Sequence, residues 1–303
     1  MFSLVHQFYA MGSDCAVHLY GGTAKSVELL AAAAEEEIRR IEARYSRYRS
    51  DSELARINKV AATGGAVDID AETAGLMAYA KACFAKSDGA FDITSGRLRA
   101  VWDFSVARLP DQLSIDAVLP FIGLDNVVLE NSRLHFRRPG MELDFGGLGK
   151  EYAADRAAEV CADLGMRHGF IDLGGDIRVV GPQPDGLPWK IGIRHPREAD
   201  RLATEIALSS GALATSGDYE RFIEAGGRRY CHILDPKTGW PAHGLSSVTV
   251  ISDRCLVAGS LSTAAMLKGR DGAAWLRGLG VRHLAIDEDG NFCGTEPPLT
   301  RFG

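Results

Sequence analysis

Several features that would mark other classes of protein are missing from this chain of 303 residues. Its six cysteines, scattered from Cys15 to Cys293, include no CxxC pair, and no histidine stands at metal-ligand spacing from them. The pattern therefore argues against a zinc site built on paired cysteines and against a disulfide framework. We expect reduced thiols, most of them packed in the interior.

Long apolar runs and a recognisable export signal are also missing. No stretch approaches the roughly 20 apolar residues that a membrane-spanning helix needs. The N-terminus lacks a basic segment followed by an apolar run and a small-residue cleavage site. The chain as given is expected to be cytoplasmic, although an exported protein trimmed of its signal would have the same features.

A basic surface is not indicated either. The formal net charge is -6 and the two signs are interspersed along the chain, whereas proteins that bind nucleic acid cluster Lys and Arg against phosphates. We therefore expect no nucleic-acid partner. A polyanionic small ligand is still compatible with this charge, because a few local cations and a metal can hold it.

The composition and the hydrophobic pattern predict a mixed fold in one compact unit. Hydrophobic residues make up 46% of the chain, and there is no fixed-period repeat or Pro/Ser-rich linker. Helical periodicity and end signals predict helices over residues 25–45, 70–87, 149–165, 257–268 and 272–278, and a short helix capped by 51–54 and ending near 58. Strands are predicted over residues 15–20, 127–129, 134–136, 169–180 (interrupted by two glycines), 189–193, 203–208, 213–216, 230–233, 247–251 and 283–287.

A glycine-rich loop lies directly before the predicted helix at 149–165. It reads Asp144-Phe-Gly146-Gly147-Leu-Gly149-Lys150. Glycines at such a turn let the backbone approach a ligand, the free N–H groups of the helix start favour a phosphate, and Lys150 adds a positive charge. A tight turn that needs glycine for its backbone angles explains the loop equally well, and it matches neither of the two common nucleotide loops.

Two further segments combine glycine, carboxylate and histidine. Asp172-Leu-Gly174-Gly175 ends a β-rich run, which suits either a ligand loop or a bulge in a central strand. His232 and Asp235 stand three residues apart, and a histidine within reach of a carboxylate is typical equipment for taking a proton from a hydroxyl. A structural histidine held by Asp235 is the alternative.

Hydroxyl groups gather at the start of the predicted helix at 257–268, where the chain reads Ser260-Leu-Ser-Thr263. They suit a helix cap, and they also suit a metal-phosphate site.

Taken together and in order, these segments resemble the ApbE family of FAD:protein FMN transferases over about residues 10–270. The resemblance rests on these pieces: Met11-Gly-Ser13, Tyr45-Ser-Arg-Tyr48, Asp51-Ser-Glu-Leu54 with Asn58, Gly89-Ala-Phe-Asp-Ile-Thr94, Asp144 to Lys150, Asp172 to Gly175, Ala214-Thr-Ser-Gly-Asp-Tyr219 and His232-Ile-Leu-Asp-Pro-Lys-Thr-Gly239.

The resemblance implies an α+β fold of the T-fold-like type, with residues 1–303 forming a single unit of two closely joined lobes. FAD would lie in a cleft between the lobes, with Mg²⁺ at its pyrophosphate. A Thr or Ser hydroxyl in a motif of an acceptor protein would attack the FMN phosphorus and release AMP.

Site residues follow from the same resemblance. His232 would be the base, with Lys150 and Asp235 beside it. The metal would be held by the backbone carbonyl of Gly149 and by Thr263. The FAD-binding residues would be Met11, Asn58, Asp92, Thr94, Asp144, Gly146, Gly147, Lys150, Gly174, Gly175, Thr215, Ser216 and Gly217.

The chain departs from the family pattern at three positions. Gly149 stands where alanine is more usual, a change that should be tolerable because the metal ligand at this position is the backbone carbonyl. Gly259 stands where family members commonly carry a metal-binding aspartate, and Glu151 stands where many carry glycine. Either Asp176, Asp253 or Glu151 replaces the lost carboxylate, or the metal binds weakly. Weak metal binding would favour another function, an FAD-binding protein without catalysis. A third function, a metal-dependent FAD pyrophosphatase in which water replaces the acceptor hydroxyl, needs the same metal and is disfavoured by the same loss.

Overall fold

The computed structural model describes residues 2–106, 108–198 and 200–297. Its helices are α1 (Ala24–Tyr45), α2 (Glu53–Thr63), α3 (Ala71–Lys86), α4 (Gln112–Val118), α5 (Gly149–Asp163), α6 (Cys255–Leu267) and α7 (Gly272–Gly278). Its strands are β1 (Phe2–Ala10), β2 (Ser13–Gly21), β3 (Gly65–Asp68), β4 (Val127–Glu130), β5 (Arg133–Phe136), β6 (His168–Leu173), β7 (Asp176–Gly181), β8 (Trp189–Arg194), β9 (Leu202–Leu208), β10 (Gly211–Gly217), β11 (Phe222–Ala225), β12 (Arg228–Cys231), β13 (Leu245–Ser252), β14 (Arg282–Asp287) and β15 (Phe292–Gly294).

An eight-stranded antiparallel sheet organises the molecule, in the order β1-β2-β6-β7-β10-β13-β14-β15. Helices α1, α5 and α6 pack on one face of this sheet, and the hairpin β8–β9 contributes to a second apolar cluster. Side chains alternate between these layers, as period two requires. On β10, Ala212 and Ala214 belong to the helix-side core and Leu213 to the β8–β9 cluster.

The smaller elements surround the main sheet. Strands β3, β5 and β4 form a three-stranded sheet. A third apolar cluster joins the 3-10 helix at Ile93–Ala100, α4 and the hairpin β11–β12 around Leu98, Trp102 and Ile115. The α+β class predicted from the sequence is thus confirmed.

The helices begin and end largely where their sequence signals indicate. Thr23 and Ser26 form a capping box at the start of α1. The predicted apolar stripe of α1 is buried: Val27, Leu30, Ala34, Ile38 and Ile41. In α3, the Asp70 side chain accepts a hydrogen bond from the Thr73 N–H, as an N-cap does.

One strand prediction needs correction, and a second strand gains a partner, because glycine turns fold the chain back. The predicted single strand over 169–180 is the hairpin β6–β7, in which Gly174 (φ 64°) and Gly175 (φ 91°) form the two-residue turn. Positive φ at both positions is what a hairpin turn with a compatible twist requires. Similarly, Met11 and Gly12 turn β1 back onto β2, so β2 has a partner strand that the sequence pattern did not reveal.

Helix α2 begins one residue later and is longer than predicted. Its N-cap is Ser52, whose hydroxyl accepts a hydrogen bond from the Ala55 N–H at 3.0 Å, and it continues past Asn58 to Thr63. No helix among the described residues is long and apolar enough to cross a membrane. The six cysteines are free thiols, and four of them are buried.

Candidate active site

The glycine-rich loop turns directly into α5. The Asp144 carboxylate accepts a hydrogen bond from the Gly146 N–H at 2.8 Å, and the Gly149 N–H donates to the Phe145 carbonyl at 2.7 Å. A Cβ on Gly147 would lie 3.4 Å from the Phe91 ring. The residue before α5, Leu148, gives the helix no side-chain cap, so the start of α5 presents backbone N–H groups in the way that suits an anion.

Two arginines fix the Asp144 carboxylate beside this loop. Arg47 approaches it at 3.1 Å and Arg99 at 2.8 Å, and the Asp144 side chain is only 10% exposed. Arg99 also donates to the Tyr48 hydroxyl at 3.3 Å. The chain packs closely here, since a Cβ on Gly96 would lie 2.6 Å from Asp144 Cβ. Two guanidinium groups therefore lie beside the glycine-rich loop, and Asp144 balances only one of their two positive charges.

Lys150 forms an ion pair with Asp176 across the site, with Nζ 2.8 Å from Oδ2. Burial alone would lower the pKa of Lys150, but Asp176 and Glu151 outweigh it and raise that pKa, so the amine stays charged. A Cβ on Gly174 would lie 3.6 Å from Lys150 Nζ and 2.8 Å from Ser13 Cβ. The hairpin turns and the start of α5 thus converge around one ammonium group.

Met11 belongs to the same group of residues. Its N–H donates to the Glu42 carboxylate at 2.6 Å. Its Cε would be 3.7 Å from a Cβ built on Gly149. That spacing is ordinary van der Waals contact, so alanine would be accommodated at Gly149, as the family pattern suggested.

His232 is held in one orientation by backbone contacts after β12. Its Nδ1 lies 3.2 Å from the Arg221 carbonyl, and its N–H donates to the same carbonyl at 2.9 Å. A carbonyl oxygen can only accept, so Nδ1 carries the proton and Nε2 keeps its lone pair. Although His232 is open to solvent, desolvation by the surrounding protein, with the charges of Arg221, Arg99 and Lys150, lowers its pKa to about 4.

The predicted pairing of His232 with Asp235 is wrong. One Asp235 oxygen accepts from the Lys237 N–H at 2.8 Å, and the other accepts from the Thr238 hydroxyl at 3.1 Å. The carboxylate therefore closes its own turn, as aspartate commonly does in loops. His232 takes its orientation from the Arg221 backbone instead.

Hydroxyl groups of β10 and α6 meet close to Asp176, whose carboxylate lies 3.4 Å from the Thr215 N. The Ser216 hydroxyl lies 2.8 Å from the Ser262 hydroxyl and 3.0 Å from that of Thr263. The Thr215 hydroxyl contacts Thr249 at 2.8 Å. At Gly217 a Cβ would lie 2.3 Å from the Tyr219 ring, so any other residue would require that ring to move.

Three predicted ligand-binding residues use their polar atoms within the protein. Asn58 exchanges hydrogen bonds with the backbone of Leu143, donating at 2.9 Å and accepting at 2.8 Å. Asp92 accepts from the Thr94 N–H and hydroxyl at 2.7 and 2.6 Å, and burial raises its pKa. Asn58 thus positions the segment before the glycine-rich loop, while Asp92 and Thr94 cap the 3-10 helix at Ile93–Ala100.

Of the carboxylates considered as substitutes for the missing aspartate, Asp253 is too distant. It packs beside Gly211 at the start of β10, whereas Thr263 contacts Ser216 near the end of that strand. Five residues of strand separate the two ends by about 16 Å. Asp176 is close to the site, but its carboxylate already pairs with Lys150.

Glu151 lies in the space that a side chain at position 259 would fill. A Cβ on Gly259 would meet Glu151 Cγ at 2.4 Å and Oε1 at 2.6 Å. Burial, together with the nearby Asp176 carboxylate, raises the pKa of Glu151 to about 8. The departures from the family pattern at positions 151 and 259 are therefore in direct contact.

Sequence reasoning missed the charged residues that complete the site. Arg99 carries no local signal, because only the tertiary fold brings it to Asp144. Arg47 is inside a segment noted for the family resemblance, but nothing in that segment shows which side chain faces Asp144. Arg221 acts through its backbone carbonyl, and a contact made by a backbone atom cannot be predicted from the residue type.

A sequence model of the ApbE family matches residues 11–284. The chain belongs to the ApbE family. Among curated relatives in that family, the FAD:protein FMN transferase of Haemophilus influenzae is 31% identical over 244 residues, which are 77% of this chain and 70% of that protein. The enzyme of the same name from Vibrio cholerae is 32% identical over 232 residues, 75% of this chain and 69% of that protein.

Solved ApbE structures have the same fold. The ApbE protein of Thermotoga maritima superposes with a TM-score of 0.90 at 33% identity and covers 97% of each chain. The apo form of the Pseudomonas stutzeri flavinyl transferase ApbE gives a TM-score of 0.84 at 32% identity, over 97% of this chain and 94% of that one. The predicted family and fold are confirmed.

Proposed function

We propose that this protein transfers FMN from FAD to a Thr or Ser hydroxyl of an acceptor protein and releases AMP. The observation that carries the proposal is the state of His232. The Arg221 carbonyl fixes the proton on Nδ1, and the lowered pKa keeps the ring neutral. Nε2 is then a proton acceptor of fixed position, which a hydroxyl nucleophile requires.

Each bond that forms in this transfer is matched by a bond that breaks, and the proton that is released has an acceptor. The acceptor oxygen forms a bond to the FMN phosphorus, and the bond from that phosphorus to the bridging oxygen breaks. AMP leaves with the bridging oxygen, and the hydroxyl proton passes to His232 Nε2. Lys150 and the backbone N–H groups at the start of α5 that follow Gly149 would offset the negative charge of the phosphates.

The residues also fit a divalent cation. Mg²⁺ favours oxygen ligands and is often held by one or two carboxylates together with substrate phosphates. Thr263 and the backbone carbonyl of Gly149 are the predicted ligands, and a buried carboxylate oxygen, Glu151 Oε2, has no hydrogen-bond partner among the described residues. When bound, the metal would neutralise pyrophosphate charge.

The acceptor must reach a solvent-open base. Because His232 is exposed, an acceptor segment that carries Thr or Ser on an accessible loop would be able to approach Nε2. A transient complex is expected, since such an acceptor has to leave after each transfer.

The test is incubation of the protein with FAD, Mg²⁺ and an acceptor, with AMP measured by chromatography and acceptor-bound flavin by in-gel fluorescence. Transfer predicts that AMP and labelled acceptor appear in equal amounts and that both need the acceptor. AMP release without an acceptor would instead identify an FAD pyrophosphatase. Tight FAD binding with no AMP under any condition would identify a flavin-binding protein, and either result would contradict the proposal. His243→Ala, an exposed histidine, is the control for His232→Ala.

A further inference from the structure

Glu151 is a buried carboxylate at the start of α5. The residue is only 6% exposed, and Oε2 accepts no hydrogen bond from the part of the chain that the structure describes. Leaving an acceptor buried and unpaired is costly. A carboxylate retained in this state therefore points to a ligand that pairs with it.

The Glu151 side chain crosses from α5 to α6. Gly259 has no side chain, and the place of its missing Cβ lies 2.4 Å from Glu151 Cγ, 2.6 Å from Oε1 and 2.8 Å from Cδ. An aspartate at 259 would therefore compete with Glu151 for one volume. The carboxylate of Glu151 occupies the region where a short acidic side chain on α6 would place its own.

Other oxygen donors are present on the same face of α6. Thr263 follows Gly259 by four residues, which is one helical turn, so both positions face the same direction. The Thr263 hydroxyl lies 3.0 Å from that of Ser216. Hydroxyl and carboxylate oxygens are hard ligands, which suit Mg²⁺ or Mn²⁺ and not a thiophilic metal.

We infer that Glu151 supplies the carboxylate ligand of the divalent cation, entering from α5 through the space that Gly259 leaves open. This inference rests on the proposed function only for the presence of the cation. It makes Gly259 and Glu151 one compensated exchange, in which the carboxyl group is kept and the helix that carries it changes.

The experiment titrates Mn²⁺ into the full-length protein and follows free Mn²⁺ by electron paramagnetic resonance. Titrations are made with the metal alone and in the presence of ADP, which carries a pyrophosphate but no FMN to transfer. The variants are Glu151→Gln, Gly259→Asp, the double variant Glu151→Gly/Gly259→Asp, and the control Asp163→Asn, an exposed carboxylate near the end of α5. Circular dichroism and Tm report folding.

Glu151→Gln keeps the shape and should weaken Mn²⁺ binding at least ~10-fold, while Asp163→Asn should bind as wild type does. Gly259→Asp alone should lower Tm, because its Cβ collides with Glu151. The double variant should recover both Tm and Mn²⁺ affinity.

Wild-type affinity in a folded Glu151→Gln variant would overturn the inference, as would a folded double variant that fails to bind. Absence of Mn²⁺ binding by wild type with and without ADP would overturn it as well. The proposed function is judged separately. If Mn²⁺ binds through Glu151 and the acceptor is never labelled, the inference stands and the transferase function falls.

Discussion

Lowering the pH from about 7.5 to about 5.5 is expected to leave the catalytic efficiency of transfer almost unchanged. An ordinary histidine has a pKa near 6.5, so at pH 5.5 only about 9% of it would be neutral. With the pKa of His232 lowered to about 4, about 97% stays neutral at that pH. The difference is roughly tenfold in the concentration of competent base.

The direction of the pH dependence follows from which protonation state of His232 is active. Desolvation and neighbouring positive charges disfavour protonated His232, and only the neutral ring accepts the proton of the attacking hydroxyl. Activity is therefore present above pH 5 and is lost as the pH falls through about 4.

The assay measures initial AMP release at subsaturating FAD, because kcat/KM reports ionisations of the free enzyme. Mg²⁺ is kept saturating at every pH, so that changes in metal occupancy do not affect the pH profile. A half-maximal rate near pH 6.5 in a stably folded protein would refute the reasoning, since His232 would then titrate as an unperturbed histidine.

Three further outcomes follow from contacts described above. His232→Ala should lower kcat by about 10²–10⁴-fold and leave FAD binding intact, as measured by flavin fluorescence quenching. Asn58→Ala removes both hydrogen bonds to the Leu143 backbone and should cost about 1–3 kcal/mol in urea unfolding; an unchanged midpoint would contradict the positioning role. Lys150→Met removes the counter-ion of Asp176, whose side chain is 6% exposed. This should lower the free energy of unfolding by about 2–3 kcal/mol. The loss is smaller than for a fully buried pair, because the Lys150 side chain is 27% exposed. Adding Asp176→Asn should recover part of that loss in the same unfolding assay.

Local signals predicted the helices well. The stripe of α1 and the Asp70 cap of α3 are properties of short segments, and the fold kept them. Hairpins were harder, since a glycine pair interrupts a strand pattern in the same way whether the chain continues or reverses. Only the pairing of β6 with β7 distinguishes the two cases.

The site residues show the same difference between local sequence signals and contacts that only the fold creates. The glycine-rich loop, Lys150 and His232 were predicted because residue type and motif order mark them. The hydrogen-bond partner of His232 was not predicted. Asp235 accepts hydrogen bonds within its own turn, and the Arg221 backbone carbonyl orients His232 instead of a carboxylate. The acceptor and the cellular compartment stay predictions, since no contact within the fold tests them.

The contact between Glu151 and Gly259 also affects how related sequences are compared. A position-by-position score counts two defects here, a lost acid on α6 and an unwanted acid on α5. In three dimensions the two positions share a single volume, so their identities should covary across homologues: glycine at one accompanied by an acid at the other. Loss of metal binding should be sought in family members that carry no acid at either position.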